Sequence, residues 1–408
     1  MTPASAARLM LATCFLVLLF NGGARFAIGL LLPPMAEDLE WSRSALSLNV
    51  TLFMVLFAGS LFFVGWLVDR IGAARVLGAA VIVSAVGLAS TGFAERPWQA
   101  LLFYGVVFAL GSAGTSITPI GVLLSRWYPH RMGMANSIAI SGMGLGQLLV
   151  ISVLTAQLAA LGWRGSFLAL GAAMLVCVLP LIPMKRIAAG STPASGPGGG
   201  SPRAPPPGPE AATLREALAS RRLWLLLVVY AICGFQVFLV ATHVVAFALD
   251  EGVDSLLAGN ILAFMGPAGV CGVLLTGLLN DRFGPVLPTV ICFLLRTVLC
   301  AALLASREPA VIVGAALLFG VTFWVTAPLT VVFGREIAAM SLLGTVTGLI
   351  TMVHHSAGGL GALVGATIFD AEGSYDSAVV LMFALSVIAL ALSLVLPLCA
   401  RRPSQQAS

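Results

Sequence analysis

Residues 65–72 read GWLVDRIG, residues 277–284 read GLLNDRFG, and each stretch ends a long apolar run. The second stretch follows the first by about half of the 408 residues of the chain. A repeated segment after a similar apolar run predicts that the chain consists of two related halves.

Two further pairs of segments follow in the same order. Thr-Pro at 118–119 corresponds to Ala-Pro at 327–328, and SGMGLG at 141–146 corresponds to SAGGLG at 356–361. We therefore expect the two halves to contain the same succession of helices.

The composition indicates a membrane protein. Apolar residues make up 59% of the chain and charged residues only 9%, whereas ordinary globular chains carry about 25% charged residues. A surface that faces hydrocarbon needs no charges, but a water-soluble surface does. The seven cysteines lie in apolar runs without the spacing of metal ligands, so neither disulfides nor a metal site is expected.

Twelve apolar runs are long enough to cross a bilayer. With both termini in the cytoplasm, most of the 21 Lys and Arg residues fall on the inner side, as the positive-inside rule requires. This predicts a multi-pass protein of the inner (plasma) membrane. The predicted spans are 9–33, 45–68, 76–93, 99–125, 134–160, 166–184, 223–249, 256–279, 286–305, 310–333, 342–369 and 377–399.

The predicted domains are a six-helix bundle at 1–186, a cytoplasmic linker at 187–221 and a second six-helix bundle at 222–408. Residues 190–209 are rich in Pro, Gly and Ser, which predicts a segment without fixed structure. Thr213 and Glu216 have the spacing of a capping box, so the linker should end in a short amphipathic helix at the membrane surface. The alternative is that this helix is only the start of the seventh span.

The pattern G-x-x-x-D-R-x-G between the second and third spans of both halves resembles the major facilitator superfamily over nearly the whole chain. The resemblance implies an all-α membrane protein with twelve transmembrane helices in two pseudo-symmetric six-helix bundles. It implies secondary transport by alternating access, and that the loops lock the closed cytoplasmic side. Asn21-Gly22-Gly23 and Gly162-Trp163-Arg164 resemble segments of bacterial relatives of monocarboxylate porters, with Asn21 in place of an acid.

Candidate gating residues follow from the loops and from prolines within spans. Glycine allows close helix approach and tight reversals, and an Asp can face the positive end of a helix. Proline removes a backbone hydrogen bond and permits bending. The alternative is that the loop residues only fix topology and turn geometry. The candidates are Gly65, Asp69, Arg70, Gly72, Gly277, Asp281, Arg282, Gly284, Pro119 and Pro328.

Few ionisable residues fall inside the predicted spans, and all 16 Asp and Glu residues lie in loops or at span ends. Arg25 is the first candidate for substrate contact, because a fixed cation without a buried acid suits an anionic solute. The alternative is a structural Arg25 that pairs with Glu37 or with backbone carbonyls. Arg296 is expected to be structural, because the ninth span is peripheral in the family.

Three histidines have an ordinary pKa, near 6.5, that permits proton exchange at neutral pH. We hypothesise that His243 and Arg25 face each other across the cavity, one from each half, and that a proton accompanies transport. The alternative is that the histidines are hydrogen-bonded packing residues. The further substrate-binding candidates are His354, His355, Gln147, Gln236, Thr115 and Trp324.

The sequence thus predicts a secondary active transporter for a small organic anion, a monocarboxylate moved with a proton. The alternatives are an exporter of a neutral or amphiphilic metabolite and a transporter-like solute sensor. No phosphate loop or catalytic constellation is present, so we expect no enzyme activity, no cofactor and no nucleic acid. The expected partners are the solute, a proton and the lipid bilayer, with the protein as a monomer.

Overall fold

The computed structural model describes residues 3–41, 43–181, 211 and 213–399, and the predicted linker at 190–209 lies outside them. The helices of the N-terminal half are α1 (Pro3–Leu39), α2 (Arg43–Ile71), α3 (Ala73–Thr91), α4 (Pro97–Ala100), a π-helix (Leu101–Phe108), α5 (Ala109–Gly114), α6 (Ile117–Trp127) and α7 (Met132–Val176). Those of the C-terminal half are α8 (Leu214–Leu218), α9 (Arg221–Asp250), α10 (Ser255–Phe283), α11 (Val286–Ala305), α12 (Pro309–Thr322), α13 (Thr326–Ile337), α14 (Leu343–Glu372), α15 (Asp376–Val395) and a 3₁₀-helix (Leu396–Cys399).

Eleven helical runs in the described part of the chain are long and apolar enough to cross a membrane. One of them, Met132–Leu181, has 50 residues. At about 1.5 Å per residue it is more than twice as long as the roughly 30 Å of hydrocarbon in a bilayer. Gly162 interrupts it with φ 63° and ψ 179°, outside the helical region. This run therefore makes two crossings, and the predicted twelve transmembrane helices are confirmed.

The fourth and tenth crossings are broken at corresponding places. In the fourth, α5 ends at Gly114 and α6 begins at Ile117; in the tenth, α12 ends at Thr322 and α13 begins at Thr326. Pro119 and Pro328 are each the third residue of the helix after the break, where a proline disturbs little because the first N–H groups of a helix have no intrahelical partner. The repeated prolines thus mark helix starts beside the two breaks.

The two halves meet closely at the end of the bundle that carries the D-R loops, which are the turns at Asp69-Arg70 and at Asp281-Arg282. There α2 packs on α14, and α7 packs on α10. A Cβ atom at Gly65 would lie 2.0 Å from the Gly344 carbonyl oxygen, and one at Gly277 would lie 2.7 Å from Ser137 Oγ. These glycines therefore let the helices of opposite halves approach almost to backbone contact.

The short helix α8 has the predicted capping box. The Thr213 N–H donates to Glu216 Oε2 at 3.3 Å, and the Glu216 N–H donates to Thr213 Oγ1 at 3.3 Å. Because α8 ends at Leu218 and α9 begins at Arg221, the capped segment is a helix separate from the seventh crossing.

Candidate functional site

A cavity of about 100 Å³ lies between the two halves. A single water needs roughly 10–15 Å³ on the same measure, so the cavity has room for a small solute. Its wall is formed by α1, α2, α7, α9, α14 and the broken fourth and tenth crossings. The residues that line it include aromatic rings and a few polar groups, and none of them is Asp or Glu.

Arg25, on α1, lines this cavity, as the sequence predicted for a charge in the middle of a span. Its guanidinium lies over the ring of Phe57, 4.2 Å from the centroid, and 5.8 Å from that of Phe53. Its Nε atom is buried without a hydrogen-bond partner. Within the described residues no carboxylate pairs with Arg25, Glu37 included. A charge in this position favours an anionic ligand, because no carboxylate among the described residues compensates it.

The side chain of Asn21 joins α1 to the break in the fourth crossing. Its Nδ2 donates to the Ser112 carbonyl at 3.2 Å, to Ser112 Oγ at 3.1 Å and to Thr115 Oγ1. Thr115 is itself fully buried, and its hydroxyl also contacts the Gly111 carbonyl at 3.2 Å. Thr115 therefore lies behind the cavity wall, and the neutral Asn21 is the residue that reaches the cavity.

The breaks place the N-terminal ends of two half-helices at the cavity. Ser116 and Ile117 at the start of α6 line it, and so do Thr326 and Ala327 at the start of α13. Ser116 Oγ is buried and has no hydrogen-bond partner. Helix N-termini carry a partial positive charge and C-termini a negative one, so each break places the positive end of α6 or α13 next to the negative end of α5 or α12. Sequence reasoning did not single out Ser116, although a serine three residues before Pro119 is a typical start of a helix.

His354 and His355, on α14, both line the cavity. Their Nδ1 atoms lie 3.2 Å from the Tyr230 carbonyl and 2.9 Å from the Thr351 carbonyl, respectively. A carbonyl can only accept, so each Nδ1 carries the proton and each Nε2 is left as an acceptor in the neutral ring. The His355 ring packs edge-on against Phe57 at 5.1 Å, which brings it to the same aromatic side chain as Arg25.

The structure does not bring His243 to this cavity. His243 borders a separate apolar pocket within the C-terminal half, with Nδ1 3.1 Å from the Tyr375 hydroxyl and Nε2 2.8 Å from the Ala362 carbonyl. Burial, followed by the carboxylates of Asp250 and Asp370, raises the pKa of Tyr375, so its hydroxyl remains a donor at neutral pH. Both ring nitrogens of His243 are thus occupied, and the hypothesised arrangement of His243 opposite Arg25 is not formed.

Of the remaining candidates, only Trp324 reaches the central cavity. The Trp324 indole packs close to Gly269, where a Cβ atom would lie 2.7 Å from its Cδ1. Gln236 is fully buried and donates to the Met382 carbonyl at 3.0 Å and to Ser386 Oγ at 2.7 Å. Gln147 is half-buried and is not part of the cavity wall. A sequence pattern places these residues on helices but does not tell which side of a helix faces the cavity.

Comparison with known proteins identifies the family. The family model of the Major Facilitator Superfamily matches residues 14–362. The chain belongs to the Major Facilitator Superfamily. Among its relatives, the "Uncharacterized MFS-type transporter YcxA" of Bacillus subtilis (strain 168) is 24% identical over 383 residues, which cover 90% of this chain and 88% of that protein. "Monocarboxylate transporter 11" of Mus musculus is 28% identical over 378 residues, which cover 90% of this chain and 82% of that protein.

Solved structures of the superfamily have the same fold. The transporter FucP in the outward conformation matches with a TM-score of 0.73 at 15% identity, over 97% of this chain and 99% of that chain. The proton:xylose symporter XylE bound to 6-bromo-6-deoxy-D-glucose matches with a TM-score of 0.74 at 14% identity, over 98% of this chain and 97% of that chain. The predicted major facilitator fold is thus confirmed, and the protein is a transporter of this superfamily rather than an enzyme.

In this member of the Major Facilitator Superfamily, the Asp of each D-R loop caps a helix of the opposite half. Asp69 accepts hydrogen bonds from the N–H groups of Gly344 at 2.8 Å and Thr345 at 2.6 Å, in the first turn of α14. Asp281 accepts them from Gly133 at 2.9 Å and Met134 at 3.1 Å, in the first turn of α7. Each carboxylate thus satisfies two unpaired N–H groups at the positive end of a helix dipole.

The other loop candidates shape the turn and its surface. Gly72 and Gly284 have φ of 91° and 81°, in the left-handed region that favours glycine. Arg70 and Arg282 are exposed and lie over the rings of their neighbours Trp66 and Phe283, 4.2 and 5.3 Å from the centroids. The contacts between the two halves at this end are therefore made by the aspartates and the helix glycines, and the arginines remain at the surface.

Proposed function

We propose that this transporter moves a small organic anion, a monocarboxylate, together with a proton across the inner membrane by alternating access. The observation that carries the proposal is the guanidinium of Arg25, which faces the central cavity without a compensating carboxylate among the described residues. The similarity to proteins named monocarboxylate transporter 11 supports the same class of solute.

The cavity offers separate surfaces to the two ends of such a solute. Arg25 presents parallel N–H groups to a carboxylate, and the Ser116 hydroxyl and the start of α6 lie in the same wall. The rings of Phe26, Phe57 and Trp324 provide an apolar surface for the organic part. A carboxylate with a short alkyl or aryl body fits this arrangement better than a dicarboxylate, because Arg25 is the one Lys or Arg among the described residues that line the cavity.

His354 and His355 are the groups that would take up the accompanying proton. Each carries its proton on Nδ1, which leaves Nε2 as the basic nitrogen, and both rings line the cavity with centroids 5.1 Å apart. The positive charge of Arg25 opposes a second positive charge nearby. A bound carboxylate neutralises Arg25 and removes that repulsion, so the anion and the proton favour each other's binding.

Alternating access would move the bundles at 1–186 and 222–408 relative to each other, with the linker at 187–221 and both termini in the cytoplasm. The end that carries the D-R loops is then the cytoplasmic end, where Asp69 and Asp281 join the two halves. A monomer contains both halves of the cavity and is sufficient for this mechanism.

The test of the anion site is uptake of labelled pyruvate, lactate, benzoate, succinate and neutral analogues into proteoliposomes with an inward proton gradient. Arg25→Met keeps the stem of the side chain against Phe57 and removes the charge. We expect monocarboxylate uptake to fall by roughly 10- to 100-fold, since hydrogen bonds to charged groups contribute about 1.5–3 kcal/mol. The control is Arg307→Met, which removes an arginine whose partners are Glu251 and Asp376 at the surface.

The anion site would be contradicted if the Arg25→Met protein took up monocarboxylates at the wild-type rate, or if the wild type transported only the neutral analogues. The latter result would favour the exporter of neutral or amphiphilic metabolites.

The proton site is tested by replacing His354 and His355 with Gln, singly and together. We expect the double variant to lose stimulation of uptake by the proton gradient while it retains exchange of labelled for unlabelled monocarboxylate, because exchange needs no net proton movement. His243→Gln is the matched control, since both nitrogens of His243 are occupied outside the cavity. Gradient-driven uptake that persists in the double variant would exclude these histidines as the proton site.

A further inference from the structure

The buried arginine of the ninth crossing contacts the break in the tenth. Arg296, on α11, is 0% exposed. Its Nε donates to Thr322 Oγ1 at 2.9 Å, and its Nη2 donates to the Thr322 carbonyl at 3.1 Å. Its Nη1 donates to Gln236 Oε1 at 3.2 Å, and the ring of Phe319 lies 4.6 Å from the guanidinium carbon. No carboxylate pairs with it among the described residues.

The partner of this charge is the end of a helix. Thr322 is the last residue of α12, and its carbonyl accepts only a long backbone hydrogen bond, 3.4 Å from the Val325 N–H, in place of a regular helical one. The last carbonyls of a helix carry the negative end of the helix dipole. A guanidinium with several donors satisfies such a terminus better than a single neutral group does. Gln236, the third point of attachment, is held in turn by Ser386 at 2.7 Å.

The break that Arg296 contacts forms part of the cavity wall. Phe323 and Trp324 directly follow Thr322, and both line the central cavity. On the far side of the break, the Tyr230 hydroxyl donates to the Thr326 carbonyl at 2.9 Å. The backbone of the break is therefore attached on both sides, by Arg296 before Trp324 and by Tyr230 after it.

We propose that Arg296 is a positioning residue that, by capping the C-terminal end of α12, holds Trp324 in the wall of the solute cavity. The inference rests on the proposed function only in treating this cavity as the solute site; the position of Trp324 does not depend on which solute is carried. Arg296 itself touches no solute, because it is enclosed between α9, α11 and α12.

The test uses the fluorescence of Trp324 in the purified full-length protein without any solute. The Trp324 signal is the fluorescence spectrum of each protein minus the spectrum of the same protein with Trp324→Phe. In Arg296→Met we expect this difference spectrum to shift to longer wavelength and its quenching by acrylamide to increase, since the break is no longer held. The difference signal of Trp163, in the other half, should stay unchanged, which separates a local change from general loosening. Arg307→Met should leave both signals unchanged.

Two milder variants keep the inference testable if Arg296→Met does not fold. Thr322→Val removes one acceptor of the guanidinium and should shift the Trp324 signal in the same direction but less. Arg296→Lys retains the charge at the helix end and should give a smaller shift than Arg296→Met. An unchanged Trp324 signal in folded Arg296→Met, or in both milder variants, would overturn the inference. If the Trp324 signal shifts in Arg296→Met and the Arg25→Met protein takes up monocarboxylate as fast as the wild type, the role of Arg296 stands and the anion site is rejected.

Discussion

The two D-R loops make the same backbone contacts but lie in different surroundings. Asp69 and Asp281 each accept hydrogen bonds from the second and third N–H groups of a helix in the opposite half. Asp69 also accepts one from Thr345 Oγ1 of the opposite half at 2.6 Å, whereas the side-chain donor to Asp281 is its own neighbour, Asn280 Nδ2, at 3.1 Å. The helices beside Asp69 meet at Gly65 and Gly344 with no side chain between them.

Around Asp281 the contact between the halves contains polar atoms that lack partners. Within the described residues, Asn136 Nδ2, Ser137 Oγ and Asn280 Oδ1 are buried without a hydrogen bond. Each unpaired buried polar group costs about 1–3 kcal/mol. The duplicated motif therefore conserves the capping of the opposite helix, but the neighbouring side chains decide how firmly each contact holds. We expect the contact of α2 with α14 to be the stronger one.

The largest difference between the two contacts should appear on replacing their glycines with alanine. At Gly65 the new Cβ would lie 2.0 Å from a carbonyl oxygen of the backbone, whereas at Gly277 its nearest neighbour would be the Ser137 side chain at 2.7 Å. Gly65→Ala should therefore shift the protein to a form open at the loop end, since overpacking costs about 1–3 kcal/mol or more. Spin labels on the loop ends of α2 and α14 report the change as a longer distance.

The matched variant is Gly277→Ala, with labels on the loop ends of α7 and α10. Equal opening of the two variants would show that the contacts tolerate a side chain equally and would remove the predicted asymmetry.

A difference of intermediate size in the open fraction is expected between Asp69→Asn and Asp281→Asn. Both changes remove the charge at a helix N-terminus and keep the shape of the side chain. Only Asp69→Asn also weakens a side-chain hydrogen bond that joins the two halves, because the side-chain donor to Asp281 is the adjacent Asn280. We expect Asp69→Asn to increase the open fraction more, and Thr345→Val to reduce the difference between the two aspartates. The same distance measurements check this, and a larger effect of Asp281→Asn would reverse the ranking of the two contacts.

The features predicted correctly from sequence are those that depend on run length, repetition or the cost of burying a charge. The twelve crossings follow from hydropathy. A charge in the middle of a span turns inward, and the structure places Arg25 at the cavity and Arg296 among buried hydrogen-bond acceptors. His243 and Gln236 were assigned to the cavity because they are polar, yet their partners Tyr375 and Ser386 lie on another helix or loop more than 130 positions away. A single sequence does not show such distant pairings.

The two breaks show the same limit. The repeated prolines indicated something special in the fourth and tenth crossings. They did not show that Asn21 contacts the first break and Arg296 the second. Arg296 was expected to be structural, and its contacts agree with a role at the helix end; the residue it supports, Trp324, became apparent only from the path of the backbone. Long-range hydrogen bonds thus decide which polar residues face the solute and which hold the wall.

The smallest effect on the fraction of protein that is open at the loop end is expected for Ser137→Ala, which should lower this fraction. The hydroxyl of Ser137 is buried without a partner, so its removal should stabilise the contact between α7 and α10 by up to about 1 kcal/mol. The control is Ser125→Ala, because Ser125 Oγ donates to the Val122 carbonyl at 2.8 Å and its loss should bring no such gain. The open fraction at the loop end should therefore fall in Ser137→Ala and not in Ser125→Ala. If Ser137→Ala instead opened the contact, its hydroxyl would have a partner in solution, and the two aspartate contacts would be more alike than their buried polar atoms indicate.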